Sequence, residues 1–262
     1  MHFKTKEKNI TSQFGEDGVI QEIFNRIGTT NKFCIEFGAW DAQHFSNTWN
    51  LWYNDGWKAL LIEGDEKRFR DLIQNTHAHA NVTPLNLFVT PSGETSLDGI
   101  VTRLSLPKTP DLLSIDIDGD DYYILEGLTS LAPRVIIIEY NPTIPPDIEL
   151  VQQPGEYFGA SARAILSLAH RKGYRLVHLT DTNIFLATAK DFEKLGIPEP
   201  HLAEVFVTTH LTSIVSAYDG RTLMLGKNPY AQFTPVKKKI RAPAVTTSQE
   251  MTIQNVFIQI LE

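Results

Sequence analysis

The chain has 262 residues, 42% of them hydrophobic and 21% charged, with a net charge of −7. That is the composition of a globular protein, and the acidic balance argues against nucleic acid as a partner, because phosphate binding needs a concentrated basic surface. One cysteine, Cys34, excludes an internal disulfide framework and a cysteine-based zinc site.

No apolar stretch approaches the ~20 residues of a membrane span. The segment Met1 to Lys8 is polar and basic, with no apolar segment after it. A cytoplasmic setting is therefore the default expectation. The basic run at 237–241 reads as a solvated loop rather than a nucleic-acid or membrane patch.

In chain order, residues 17–27 place Val19, Ile20, Ile23, Phe24 and Ile27 at helical spacing, and Gly28 follows as a stop. Residues 32–37 are a short apolar run ending at Gly38, which predicts a buried strand. The aromatic-rich 47–55 predicts a helix. Residues 57–62 predict a second buried strand, ending in Glu63, and 66–75 a helix. Residues 82–89 read as a third strand interrupted by Pro84, and 97–104 as a short helix.

Residues 111–116 are the fourth strand, 122–131 the helix after it, and 135–139 a very apolar fifth strand. A loop with Pro142, Pro145, Pro146 and Pro154 follows, long enough to be functional or a lid. A helix over 161–172 stops at Gly173, and 174–179 with 183–187 predict a closing hairpin.

Continuous apolar strands alternating with helices imply an α/β fold: a mostly parallel sheet, covered on both faces, with a final antiparallel pair. Further on, 203–218 reads as helix and 255–261 as an added strand. The expected organisation is a domain over 1–197 and an extension, 198–262, packed on that same domain.

The densest chemistry lies just after the fourth strand, where Asp116, Asp118, Asp120 and Asp121 follow Leu112, Leu113 and Ile115. In open α/β sheets ligands bind outside the carboxyl ends of the strands. Carboxylates at this density must be solvated, paired or metal-bound. Asp120 and Asp121 read as helix starters at a positive N-terminus.

Two earlier strands also end in acids, Glu36 and Glu63, and Gly38 lets the backbone approach a ligand closely. Neither a full G-x-G-x-x-G nor a P-loop is present. Either glutamate alone reads equally as a surface acid. At successive strand ends, the two together favour a ribose-bearing cofactor.

Several stretches carry a family resemblance. They are Ser12-Gln-Phe-Gly-Glu-Asp17, Glu36-Phe-Gly-Ala-Trp-Asp41, Ser46-Asn-Thr48 and Gly56-Trp-Lys-Ala-Leu-Leu-Ile-Glu63. Ser114-Ile-Asp-Ile-Asp-Gly-Asp-Asp-Tyr122, Ile138-Glu-Tyr-Asn141 and Tyr157-Phe-Gly-Ala-Ser161 continue the set. In this order they resemble the class I S-adenosylmethionine-dependent methyltransferases, and among those the FkbM-like branch.

The resemblance implies a Rossmann-like, mostly parallel seven-stranded sheet with helices on both faces and a C-terminal antiparallel pair. It implies S-adenosylmethionine as cofactor. Glu36, Gly38 and Asp41 would line its methionine part, Glu63 would hold its ribose, and Gln13, Ser46 and Asn47 would close the pocket. Asp116 and Asp118 would face the reaction.

A second alignment, of Asp118-Gly-Asp-x-Tyr122, is similar to macrocin-type sugar O-methyltransferases, which bind a divalent metal. Metal-dependent catechol-type enzymes also take ligands from the ends of strands four and five, which here would be Asp116 or Asp118, with Glu139 and Asn141, an oxygen set suited to magnesium, manganese or calcium. A metal lowers the pKa of a hydroxyl nucleophile. Without one, a carboxylate or His178 would serve as general base. The implied acceptor is a small molecule or glycan, methylated on a sugar hydroxyl. The alternatives are a metal-dependent phosphohydrolase, with Asp116 as nucleophile, and a non-catalytic protein of the same fold that binds a glycan or a partner.

Overall fold

The computed structural model describes residues 3–216, 218 and 222–225. Residues up to Thr208 form one compact unit, and the described residues beyond it belong to a second. Seven strands of the first unit form a single sheet: β1 (Phe33–Phe37), β2 (Lys58–Glu63), β3 (Val82–Asn86), β4 (Leu112–Ile115), β5 (Val135–Glu139), β6 (Tyr174–Leu179) and β7 (Asn183–Thr188). Their order is β3-β2-β1-β4-β5-β7-β6. Strands β1 to β5 pair in parallel, and β7 runs antiparallel to both β5 and β6. This is the Rossmann-like sheet with an antiparallel closing pair that the strand pattern predicts.

Every residue of β1 and β4 is buried, as befits central parallel strands covered on both faces. Because side chains alternate, Cys34, Leu61, Leu112, Ile137 and Phe185 share one face. They cluster with residues of α1 (Glu16–Ile27), α2 (Trp49–Tyr53), α3 (Glu66–Thr76) and α7 (Ala189–Lys194). The alternate residues Ile35, Leu60, Leu113, Ile136 and Ile184 are equally buried on the other face. Right-handed crossovers put α4 (Leu97–Arg103), α5 (Asp121–Gly127) and α6 (Ala162–Arg171) there. Pro84 sits inside β3 without cost to the ladder, since β3 is an edge strand.

At the amino ends of the strands, buried Arg134 bridges Asp111 (2.7 Å) and Asp191 (2.8 Å) and donates to the Gly28 carbonyl. This ties α1, β4, β5 and α7 together away from the opposite edge, where the acids lie. Helix α7 follows from Thr188, whose hydroxyl accepts the Asp191 N–H and donates to its carboxylate.

Two expectations fail. The helix after β4 stops at Gly127 rather than reaching residue 131: a Cβ there would lie 2.0 Å from the Pro91 carbonyl, and Leu128 turns extended. The predicted helix over 203–218 is only α8 (Leu202–Val205), a 3-10 turn at Thr208–His210 and strand β8 (Ser213–Ser216). Phe206 is extended, and the β-branched run 207–209 opposes helix. In the second unit β8 pairs antiparallel with β9 (Thr222–Leu225). The strand expected at 255–261 and the basic run at 237–241 lie outside the described residues.

Candidate active site

The strand order reverses between β1 and β4, so the crevice at their carboxyl ends is where this sheet takes a ligand. Gly38, just past β1, has φ +74, and a Cβ there would lie 1.7 Å from the Asp116 carbonyl. The glycine is needed for the close packing of the two strand exits. By strand alternation Glu36, Glu63 and Glu139 share the face that carries α1 to α3.

Glu36 is buried and its carboxylate is fully engaged. It accepts from Ser46 Oγ (2.6 Å), the Asn47 N–H (2.8 Å) and Thr48 Oγ1 (2.7 Å). Burial pushes its pKa up, although these bonds oppose the shift. Asn47 in turn donates to Ser114 Oγ on β4. Glu36, Ser46 and Asn47 therefore form one buried network with Thr48 and Ser114, which fixes the 46–48 turn above β1. Thr48 and Ser114 were not predicted. The signal for Thr48 was its place in three consecutive hydrogen-bonding residues.

Glu63 is also buried. One oxygen accepts the Trp40 N–H (2.9 Å) and the other the Asp65 N–H (2.8 Å). Each keeps a second lone pair, which suits a vicinal diol. Asp41 makes a turn: its carboxylate accepts the N–H groups of Gln43 and His44, and its carbonyl accepts from Asn75. The left-handed residues Trp40 (φ 44), Ala42 (φ 71) and Phe45 (φ 56) lie around it.

Gln13 is exposed, on a loop held by two buried acids. Asp17 accepts from Ile10, Thr11 and Ser12 backbone N–H groups, and Glu16 from Thr180 and Asn183. Asn183 pairs in register with Glu139, so this loop borders the same edge.

Beyond β4 and β5, carboxylate oxygens of Asp116, Asp118 and Glu139 lie within 4.8 Å of one another. None of the described ion pairs involves them. Burial, then the charges of Asp121 and Asp118, push the Asp116 carboxyl well up. Burial, then Asp116 and Asp121, do the same for Glu139. Asp118 has φ +58, unusual for a non-glycine residue.

Asp120 and Asp121 start α5 as predicted, but their carboxylates bond elsewhere. Asp120 sits at the N-cap with no side-chain cap bond and instead accepts from Gly155 and Gln152. Asp121 is buried, accepts the N–H groups of Ile117 and Gly119, and so shapes the 116–119 turn. Burial raises its pKa to about 6.

Asn141, two residues past Glu139, is held by its own hydrogen bonds. Its Oδ1 accepts from the Thr143 N–H and hydroxyl, and its Nδ2 donates to the Phe158 carbonyl (2.7 Å). Of the two candidates at strand four, both Asp116 and Asp118 belong to the three-carboxylate group with Glu139. His178, on the outermost strand, is buried and bonded to Glu7 (2.8 Å), away from the β1–β4 crevice. Two open grooves, of about 620 and 500 Å3, lie one against Asp98 and one between α1 and α2, where Asp17 and Asn47 line it; neither includes Asp116, Asp118 or Glu139.

No protein-family profile and no curated protein matches the chain in sequence. Solved structures do resemble it. One is a SAM-dependent methyltransferase from Aquifex aeolicus: 14% identity, TM-score 0.41, covering 70% of this chain and 93% of that one. Another is the N-terminal domain of EvdMO1, solved with SAH bound: 13% identity, TM-score 0.44, covering 66% and 80%. A third is the precorrin-6y C5,15-methyltransferase from Geobacter metallireducens: 14% identity, TM-score 0.40, covering 69% and 89%. Similarity at this level says nothing of the ligand or reaction of this chain. Among the described residues no helix is long and apolar enough to cross a membrane.

Proposed function

We propose that the protein is an S-adenosylmethionine-dependent O-methyltransferase of the FkbM-like type, acting on a sugar hydroxyl of a glycan, glycolipid or small molecule. The observation that carries this reading is the placement of a buried diol-compatible carboxylate, Glu63, and three clustered acids at one carboxyl edge, on either side of the β1–β4 switch point. Glu63 would take the ribose hydroxyls. Gly38 and the 46–48 turn would meet the methionine part, and Gln13, from its exposed loop, would close over it. Glu36 supports that turn from beneath.

The acid cluster fits a divalent cation by its chemistry: three oxygen donors, in mutual reach, with no ion-pair partner among the described residues. Asp116, Asp118 and Glu139 would hold magnesium or manganese, which when bound lowers the pKa of a coordinated hydroxyl. Without a cation, one of these carboxylates would accept the hydrogen bond of the acceptor hydroxyl and take its proton as the methyl group passes from the sulfonium to the oxygen, leaving S-adenosylhomocysteine.

Isothermal titration with S-adenosylmethionine, with and without manganese, tests this. Micromolar binding is expected, and no heat at millimolar ligand sinks the proposal.

A further inference from the structure

The loop after β5 contains two aromatic residues whose exposure has no counterpart in folding. Its neck is closed by paired bonds between Leu150 and Ser161: the Ser161 N–H donates to the Leu150 carbonyl (2.9 Å), and the Leu150 N–H to Ser161 Oγ (3.0 Å). Inside it, Gln152 is buried and acts as a hub. It donates to Asp120 and to the Glu156 carbonyl, and accepts the N–H groups of Phe158 and Gly159. Tyr123 donates to the Gln152 carbonyl (2.6 Å), and the Gly155 N–H donates to Asp120 (2.9 Å).

The loop is tied at all these points, yet Tyr157 is 90% exposed and Phe158 52%. Aromatic side chains hold much of their stabilising potential in burial, and here the folded chain uses little of it.

The anchors also locate these rings. The Glu156 carbonyl lies against Gly119, where a Cβ would approach it to 2.8 Å. Gly119 directly follows Asp118. The Phe158 carbonyl accepts from Asn141, two residues past Glu139. Tyr157 and Phe158 are thus carried by the peptide strung between the two sides of the acid cluster, the one at Asp118 and the one at Glu139.

We propose that Tyr157 and Phe158 form the acceptor platform, on which the C–H face of a pyranose ring stacks while its hydroxyls meet Asp116, Asp118 and Glu139. A pyranose offers the two surfaces this arrangement matches: an apolar face for the rings and a rim of donors for the carboxylates. The inference rests on the methyl-transfer reading and adds the residues that hold the sugar acceptor and the face of the ring they grip. Aromatic rings beside acids also suit a methylated ammonium ion, so the experiment includes one.

Saturation-transfer NMR is carried out on the full chain with methyl α-D-glucopyranoside, methyl α-D-mannopyranoside, methyl α-L-rhamnopyranoside and tetramethylammonium as probes. The wild type should saturate ring C–H protons of at least one pyranoside. The double variant Tyr157→Ala/Phe158→Ala should weaken that binding on the order of tenfold or more, the loss of two stacked rings. It should keep the wild-type melting temperature and S-adenosylmethionine affinity, because both rings are exposed. Tyr157→Phe/Phe158→Tyr should restore binding.

Equal saturation in wild type and double variant overturns the platform. Saturation of tetramethylammonium alone, or of no probe, overturns the pyranose assignment. Pyranoside binding that depends on the two rings, in a protein giving no heat with S-adenosylmethionine, supports the platform and defeats methyl transfer.

Discussion

Glu36 separates two accounts of the crevice: either its charge acts on the cofactor, or it is a post that holds the 46–48 turn. Its carboxylate takes three hydrogen bonds, of 2.6 to 2.8 Å, all from that turn. Glu36→Ala strands the Asn47 N–H and two hydroxyls in a buried site. Unsatisfied buried donors cost ~1–3 kcal/mol each, and the hydroxyls can turn to other partners, so the expected loss is about 3 kcal/mol.

Glu36→Gln is different. Its carbonyl can keep the Asn47 N–H and its amide can donate to the Thr48 hydroxyl, so only Ser46 Oγ, which already accepts the Thr48 and Trp49 N–H groups, loses its bond. Burial already disfavours the charged carboxylate, as its raised pKa shows, so neutralising it removes part of that cost. The expected loss for Gln is under about 1 kcal/mol. Urea unfolding measures both, and calorimetry measures S-adenosylmethionine affinity beside them. The alanine variant should lose affinity more than tenfold and the glutamine variant less than threefold. A glutamine variant that is stable but binds S-adenosylmethionine tenfold more weakly would refute the positioning role.

Asp118→Gly should leave the melting temperature unchanged or raise it, because relief of a left-handed non-glycine residue (φ +58) is worth ~1 kcal/mol. The same variant should lose manganese binding, read by electron paramagnetic resonance; retained binding would remove Asp118 from the site. Gly38→Ala should be insoluble or destabilised by more than about 3 kcal/mol, since its Cβ would sit 1.7 Å from the Asp116 carbonyl. A soluble variant of wild-type stability in urea would show that the two strand exits are not so closely packed.

Asp98 links stability to acid. Burial pushes its carboxyl up, but bonds from Thr129, Leu131 and Ser130 together outweigh that and hold it at about 2. A depressed pKa contributes stability above the unfolded value of ~4, and loses it as pH falls through about 2. Asp98→Asn, allowing for partial solvent screening, should therefore cost about 1–2 kcal/mol at pH 7. The difference from wild type should shrink between pH 4 and pH 2; a difference constant over that window would exclude the linkage.

Legibility followed the range of the interactions. The elements along β1, β2, β4, β5 and α1 were readable because apolar period and glycine stops are local signals. Glu36, Glu63, Asp116 and Asp118 were readable as site candidates for the same reason, each following an apolar run. The carboxamide of Asn141 binds Thr143, two residues on, and the Phe158 carbonyl, seventeen residues on, and only the first of these is a local contact. Gln152 had no sequence signal at all: its role exists only where the 153–159 loop folds over Asp120. Asp120 and Asp121 read as caps because they precede a helix, yet Asp121 is drawn back to the 117–119 turn and Asp120 outward to Gly155.

The sequence by itself determined the α/β class, the succession of strands and the acids at their carboxyl ends, since alternation of apolar runs with helical spacing needs no knowledge of distant contacts. Only the tertiary structure decided which acids meet. Parallel pairing in the order β3-β2-β1-β4-β5 brings Glu36 beside Ser114, and the turns beyond β4 and β5 bring Asp116, Asp118 and Glu139 within 4.8 Å. Glu36 and Ser114 are 78 residues apart, and Glu139 lies 21 residues beyond Asp118. Their proximity is set by sheet register and by buried hydrogen bonds, which no local pattern encodes.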